Sequence, residues 1–232
     1  MRLNVLRLLM GNDSNITRLY YCDNNSDKTF EIDEDTLLDV SAGGVSSPGL
    51  NPGGIGGIRN RLYITSVTDT KIYEIDQDTF LDISGGGVAS VSSSPQGVGG
   101  TTTRLYHCDS FEDKTYELDP DTLLDITGGG VASTGADPTG IGGINNRVFV
   151  CASGPNKAYE LDPDSLLDLT GGGVASPQST PTGIGGTKTR LYHCDNSNPD
   201  RLYELNPDTL LDITGGGVAP TGSAPQGIGG TK

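Results

Sequence analysis

Apolar and polar positions alternate in short bursts along this chain and never settle into a helical rhythm. In Lys114-Thr-Tyr-Glu-Leu-Asp119, Tyr116 and Leu118 alternate with Thr115 and Glu117. That period of two marks a strand. Arg104-Leu-Tyr-His-Cys-Asp109 reads as a neighbouring strand of β-favouring residues, with Ser110 to Asp113 as a short polar loop between the two. Pro120-Asp121 sets a turn, because proline presets φ and aspartate hydrogen-bonds the local backbone. Leu123 to Thr127 reads as another short strand, and Gly128 to Thr139 as a long Gly/Ser-rich connection. Gly140-Ile-Gly-Gly143 then opens the next unit as a strand almost without side chains. Four strands in about 43 residues is the size of a propeller blade.

The unit recurs. Its anchor arginines, Arg18, Arg61, Arg104, Arg147 and Arg190, stand 43 residues apart. The expected fold is all-β: a five-bladed β-propeller of four-stranded antiparallel blades, one domain over 18–232. Residues 1–17 read as a leader, either a decayed inner strand or a separate cap. A further inner-strand segment, Gly227–Gly230, follows the fifth unit. Beside Leu19–Cys22 it would close the ring by pairing the N- and C-terminal strands and remove both open edges. A monomer is the expectation, and assembly among copies is the alternative route to closure.

The hairpin register follows from charge. If Arg104–Asp109 pairs antiparallel with Lys114–Asp119, Arg104 faces Asp119 and Asp109 faces Lys114, opposite charges at both ends. His107 then lies across from Tyr116. In the fifth unit Arg190 would face Asn206 and lose its partner, while Asp195 still meets Arg201. The repeated Gly-Ile-Gly-Gly suits the crowded axis of a propeller, where only small residues fit. A phosphate loop would need a helix after the glycines, and a strand follows each time. The Gly85–Gly87, Gly128–Gly130, Gly171–Gly173 and Gly215–Gly217 triplets read as flexible connectors.

The order P-x-G-I-G-G, R-L-Y-x-C-D, Y-E-L-D-P-D-T-L resembles β-propeller repeats of the broad YVTN/NHL/SMP-30-like group, from Arg18 to Lys232. The resemblance implies radially arranged four-stranded blades. It also implies that, where such relatives are enzymes, their metal or catalytic groups come from near the central channel. Here those segments offer only Gly, Ile and Val, so enzymatic activity is not the expectation.

Composition adds limits. With 30 acidic and 15 basic residues the net charge is −15, which repels phosphate backbones and makes nucleic acid an unfavourable partner. No run approaches the roughly 18 apolar residues of a membrane span. Cys22, Cys108, Cys151 and Cys194 occupy equivalent places in different units, too far apart for disulfides. Unpaired cysteines and the lack of a clear signal peptide favour the cytoplasm. His107 and His193 adjoin Cys108 and Cys194, but neighbours on a strand point to opposite faces and cannot act as a nucleophile pair.

The candidate binding residues are the acids of the loop face: Asp23, Asp27, Asp69, Asp109, Asp113, Asp195 and Asp200. Carboxylate clusters can hold Ca²⁺, but no loop has the spaced acids of a calcium loop, and no cofactor is expected. Arg59, Asn60, Asn145, Asn146 and Lys188 are placed near the channel mouth. The functional expectation is a non-enzymatic repeat scaffold binding a ligand, glycan or protein on its loop face, multivalently through near-identical blades. The alternatives are an SMP-30 or lyase-like enzyme and a purely structural or designed scaffold.

Overall fold

A computed structural model describes residues 17–231; the expectation for the leader otherwise lies outside the described residues. The first blade holds β1 (Leu19–Asp23), β2 (Lys28–Ile32) and β3 (Val45–Ser46). The second is β4 (Pro52–Ile58), β5 (Arg61–Ser66), β6 (Lys71–Ile75) and β7 (Val88–Ala89). The third is β8 (Pro95–Gly100), β9 (Leu105–Asp109), β10 (Lys114–Leu118) and β11 (Val131–Ala132). The fourth is β12 (Pro138–Ile144), β13 (Arg147–Ala152), β14 (Lys157–Leu161) and β15 (Val174–Ala175). The fifth holds β16 (Pro181–Gly186), β17 (Leu191–Asp195) and β18 (Arg201–Leu205), and β19 (Pro225–Gly230) follows. All pairings are antiparallel, and in the fifth blade a single bridge, Leu202 with Val218, stands where the outer strand would be.

β19 supplies the inner strand of the first blade. Leu19 pairs with Gly230, Tyr21 with Ile228 and Cys22 with Gly227, so the sheet order there is β19-β1-β2-β3. The chain therefore folds into a five-bladed β-propeller closed by its terminal strands. At the junction Thr231 N donates to Arg18 O at 3.0 Å, the bond that Thr101 N makes to Arg104 O, also at 3.0 Å, inside a continuous turn.

The second strands are buried along their length, apart from the half-buried Arg61 and Arg147 that open β5 and β13, because each blade is covered on both faces. Alternation sends successive side chains into different interfaces. Leu105 packs with Ile58, Tyr63 and Val98 toward the second blade, whereas Tyr106 and Cys108 pack with Val148, Val150 and Tyr159 of the fourth. At the closing interface Leu19, Tyr21 and Phe30 meet Tyr192, Cys194 and Leu202. A chain with only 33% hydrophobic residues thus supplies a core to every interface.

Glycine at the axis is a packing requirement. A Cβ on Gly54 would lie 2.7 Å from Gly97 Cα, one on Gly97 2.7 Å from Gly140 Cα, and one on Gly140 2.5 Å from Gly183 Cα. The series runs on through Gly227 and returns from it to Gly54 at 2.5 Å. Inner strands of neighbouring blades touch backbone to backbone, and no side chain fits between them.

Two expected segments differ. Leu123 to Thr127 is not a strand: Leu123 takes a left-handed φ of 58°, its N–H donating to Asp119 O at 2.8 Å, and only Asp125 bridges back to Leu118. The outermost strand lies further on, at Val131–Ala132. The glycine triplets are not flexible connectors but arches of three successive positive φ values, 78°, 117° and 77° at Gly128, Gly129 and Gly130. Such amide-lined curves bind anions, and here the anion is internal. Gly129 N donates to Asp125 Oδ2 and Gly130 N to Thr127 Oγ1.

Candidate binding faces

The register expected for the hairpins is present: Asp109 stands opposite Lys114, Asp195 opposite Arg201 and Tyr116 opposite His107. The charge partners differ. Arg104 turns its guanidinium onto Glu117, at 2.6 and 2.5 Å, rather than Asp119, and reaches Asp164 of the next blade at 2.6 Å. Arg18 does the same with Glu31 and Asp78, Arg61 with Glu74 and Asp121, and Arg147 with Glu160 and Asp208. Arg190, expected to lose its partner, holds Glu204 and closes the circle on Asp35 of the first blade. The reason is side-chain reach: Glu117, two residues before Asp119, lies on the same face and offers two oxygens to the guanidinium fork. Asp119 is committed elsewhere, its Oδ1 accepting from the N–H groups of Asp121 and Thr122. Each guanidinium also covers the ring two residues on, 5.2 to 5.6 Å from its centroid. This face is a belt of satisfied charges.

On the opposite face lie the loops between second and third strands, with their candidate acids. Asp23, Asp109 and Asp195 are buried and turned inward. Asp109 accepts from Glu112 N at 2.7 Å and from Ser94 N at 2.6 Å, which ties its own loop to the connection arriving from the previous blade. Asp23 does this with Ser26 and Ala224, and Asp195 with Ser197 and Thr180. Asp27 and Asp113 pin the connection leaving the blade, accepting from Asn51 N and Asp137 N, both at 2.6 Å. Asp69 accepts from the Tyr73 hydroxyl at 3.0 Å. Burial, followed by the charges of Asp23 and Asp195, raises the Asp200 carboxyl above its ordinary range. Among the described residues no three His, Cys, Asp or Glu side chains converge in a way that would hold a metal ion.

Sequence reasoning passed over Phe111 in the same loop as Asp113. Its ring is 79% exposed, more than any other large hydrophobic residue described. The signal was present: Phe111 stands in Ser110-Phe-Glu-Asp-Lys114, where the other units carry no aromatic residue.

The residues best suited to catalysis are sealed. His107 is buried, with Nδ1 2.9 Å from Gly97 O and Nε2 near Ser90 and Ser92. Burial pulls its pKa down to about 4. Burial likewise pushes the Cys151 thiol up to about 12. All four cysteines are buried and unpaired. The axial gap is lined by glycine backbone with Ile141 and Ile228 and is too narrow for a water molecule. Among the described residues no helix is long and apolar enough to cross a membrane.

No family model matches this chain, and no curated protein does. Solved structures do match. A chain of the nidogen/laminin complex is 12% identical, with 94% of this chain and 99% of that one covered and a TM-score of 0.55. A Bacteroides caccae protein of unknown function is 10% identical over 93% and 99% of the two chains, with a TM-score of 0.54. Glutaminyl cyclase of Myxococcus xanthus is 10% identical over 80% and 72%, with a TM-score of 0.56. The likeness is one of fold. For several further matches this chain spans only 42 to 64% of the other's length.

Proposed function

We propose that this chain is a non-enzymatic repeat scaffold, akin to the YVTN/NHL/SMP-30-like group, that binds a ligand, glycan or protein on its loop face. The observation that carries the reading is Phe111, an exposed aromatic ring among the acids of the third blade's loop. Exposed aromatic residues in polar surroundings are the usual anchors of recognition. Asp27, Asp69, Asp113 and Asp200 supply polar groups on the same face from four of the five blades, which allows weak contacts to add. The matched chain from the nidogen/laminin complex is in keeping with a protein partner. Glutaminyl cyclase shows that such a fold also carries enzymes, so the reading rests on the loops and not on the fold.

The test is a glycan array and a peptide array probed with the labelled chain, followed by hydrogen exchange on any hit. Binding should protect residues 24–27, 67–70 and 110–113, and Phe111→Ala should weaken it by about tenfold or more. Protection confined to the arginine face, or no effect of Phe111→Ala, would overturn the reading.

A further inference from the structure

The outer rim carries a second repeated feature, separate from the loop face. After the left-handed Leu123, Leu124 and Ile126 point into solvent while Asp125 between them turns back toward the blade. Leu38, Leu81, Leu167 and Leu211 repeat the first position, and Ile83, Leu169 and Ile213 the second, all 55 to 65% exposed, with Val40 half-buried in the first blade. Leu124 O accepts from Asp119 N and Ile126 N donates to Glu117 O. Leu124 to Ile126 therefore forms a short edge held to the blade through Leu124 O and Ile126 N, while Leu124 N reaches Thr122 Oγ1 of its own turn at 3.4 Å. Apolar side chains at i and i+2 on a free edge are what an added strand needs.

Charge selects the occupant. The stretches 32–44, 75–87, 118–130, 161–173 and 205–217 contain no Lys or Arg, and every one contains aspartates. Asp121 and its counterparts give one oxygen to an arginine yet keep side chains 70 to 89% exposed. Lys28, Lys71 and Lys157, which open the third strands, donate to the arch carbonyls of Gly43, Gly86 and Gly172. A second copy of a chain with net charge −15 would be repelled from this edge.

We propose that the rim is an interaction surface whose partner is an extended polypeptide segment with apolar residues alternating with Lys or Arg. Its apolar side chains meet the Leu–Ile pair, its cations meet the flanking carboxylates, and its backbone continues the blade. One short edge binds weakly; a partner with several such segments gains through avidity around the ring.

The probe is acetyl-Lys-Val-Lys-Val-Lys-Val-Lys-amide, titrated into the full chain by calorimetry, with Lys-Gly and Glu-Val peptides of the same length as controls. About five peptides should bind per chain, one per blade, and both controls should bind roughly tenfold weaker or worse. Leu81→Lys/Ile83→Lys should remove about one site in five and leave the others unchanged. Leu124→Ala/Ile126→Ala serves where the lysine variant fails to fold. Phe111→Ala should have no effect here, which separates this surface from the loop face. Equal binding of the Lys-Gly peptide, an unchanged stoichiometry in both rim variants, or rim-dependent dimers in sedimentation would each overturn the proposal.

Discussion

An imidazole occupies positions 107 and 193, where the other blades carry Tyr21, Ile64 and Val150. Both rings lie fully inside blade interfaces, and burial favours the neutral form. The unfolded chain binds the proton more readily than the folded one. Stability is therefore complete above pH 6.5 and falls as the pH drops, for His107 down to about pH 4. That difference amounts to on the order of 3 kcal/mol for His107. Urea midpoints measured from pH 8 to pH 4.5 should decline steeply for the native sequence. In His107→Val/His193→Val, which borrows the residue of the fourth blade, the decline should largely vanish. An equal decline in both proteins would show that the imidazoles are not the titrating groups. The carboxylates act lower on the scale. Burial pulls the Asp125 carboxyl up, but hydrogen bonds from Thr127 and the arch glycines outweigh it and leave it below its ordinary value. Its contribution is present at neutral pH and lost only as the pH falls through that depressed value.

Among the elements, glycine does two jobs that one substitution can separate. On an inner strand, Gly140→Ala would drive a methyl group to 2.5 Å from Gly183 Cα. Neither strand can retreat from a ring packed on both sides, and overpacking of this kind costs about 1–3 kcal/mol or more. In the arch, Gly128 has φ +78° and open space where a methyl group would sit, and the first blade already places Ala42 there at φ 60°. Gly128→Ala should cost only about 1 kcal/mol, the left-handed penalty. Thermal unfolding of the two variants orders them, and equal losses would mean that axial contact is not what selects glycine. The same comparison explains why the arches read as flexible from sequence. Triple glycine has no side chain to report an internal partner, and Asp125 lies three residues earlier.

For the whole molecule, closure is the feature that every blade depends on. The belt from Arg18 to Asp78 around to Arg190 and Asp35 and the glycine series around the axis both cross the junction of β19 with β1. Removing residues 225–232 strips the inner strand from β1 and takes Ile228 out of the closing interface. That variant should lose cooperative unfolding and expose the β1 edge. By contrast, a permuted chain joining Lys232 to Thr17 and opened between Lys188 and Thr189 restores the Thr-Lys-Thr-Arg turn already present at 187–190. Its unfolding midpoint should stay within about 5 °C of the native one. A permuted chain that fails to fold, beside a truncated one that does, would refute closure by strand exchange.

Whatever is local and periodic could be read from the order of residues alone. A spacing of 43 marked the blades, alternation in Lys114–Asp119 marked the strands, and opposite charges at hairpin ends set a register in which Asp109 does stand opposite Lys114. Gly227–Gly230 as the missing inner strand was legible for the same reason, since a repeat displays what each unit lacks. Where the side chains place their hydrogen bonds was settled by the packed ring. Arg104 chose Glu117 and Asp164 over Asp119, and Asp23, Asp109 and Asp195 turned from the loop face into the protein. Register lines up backbones, but a long side chain chooses among all the partners that packing brings within its reach. One of those partners, Asp164, stands 60 residues away, a distance that no local pattern spans.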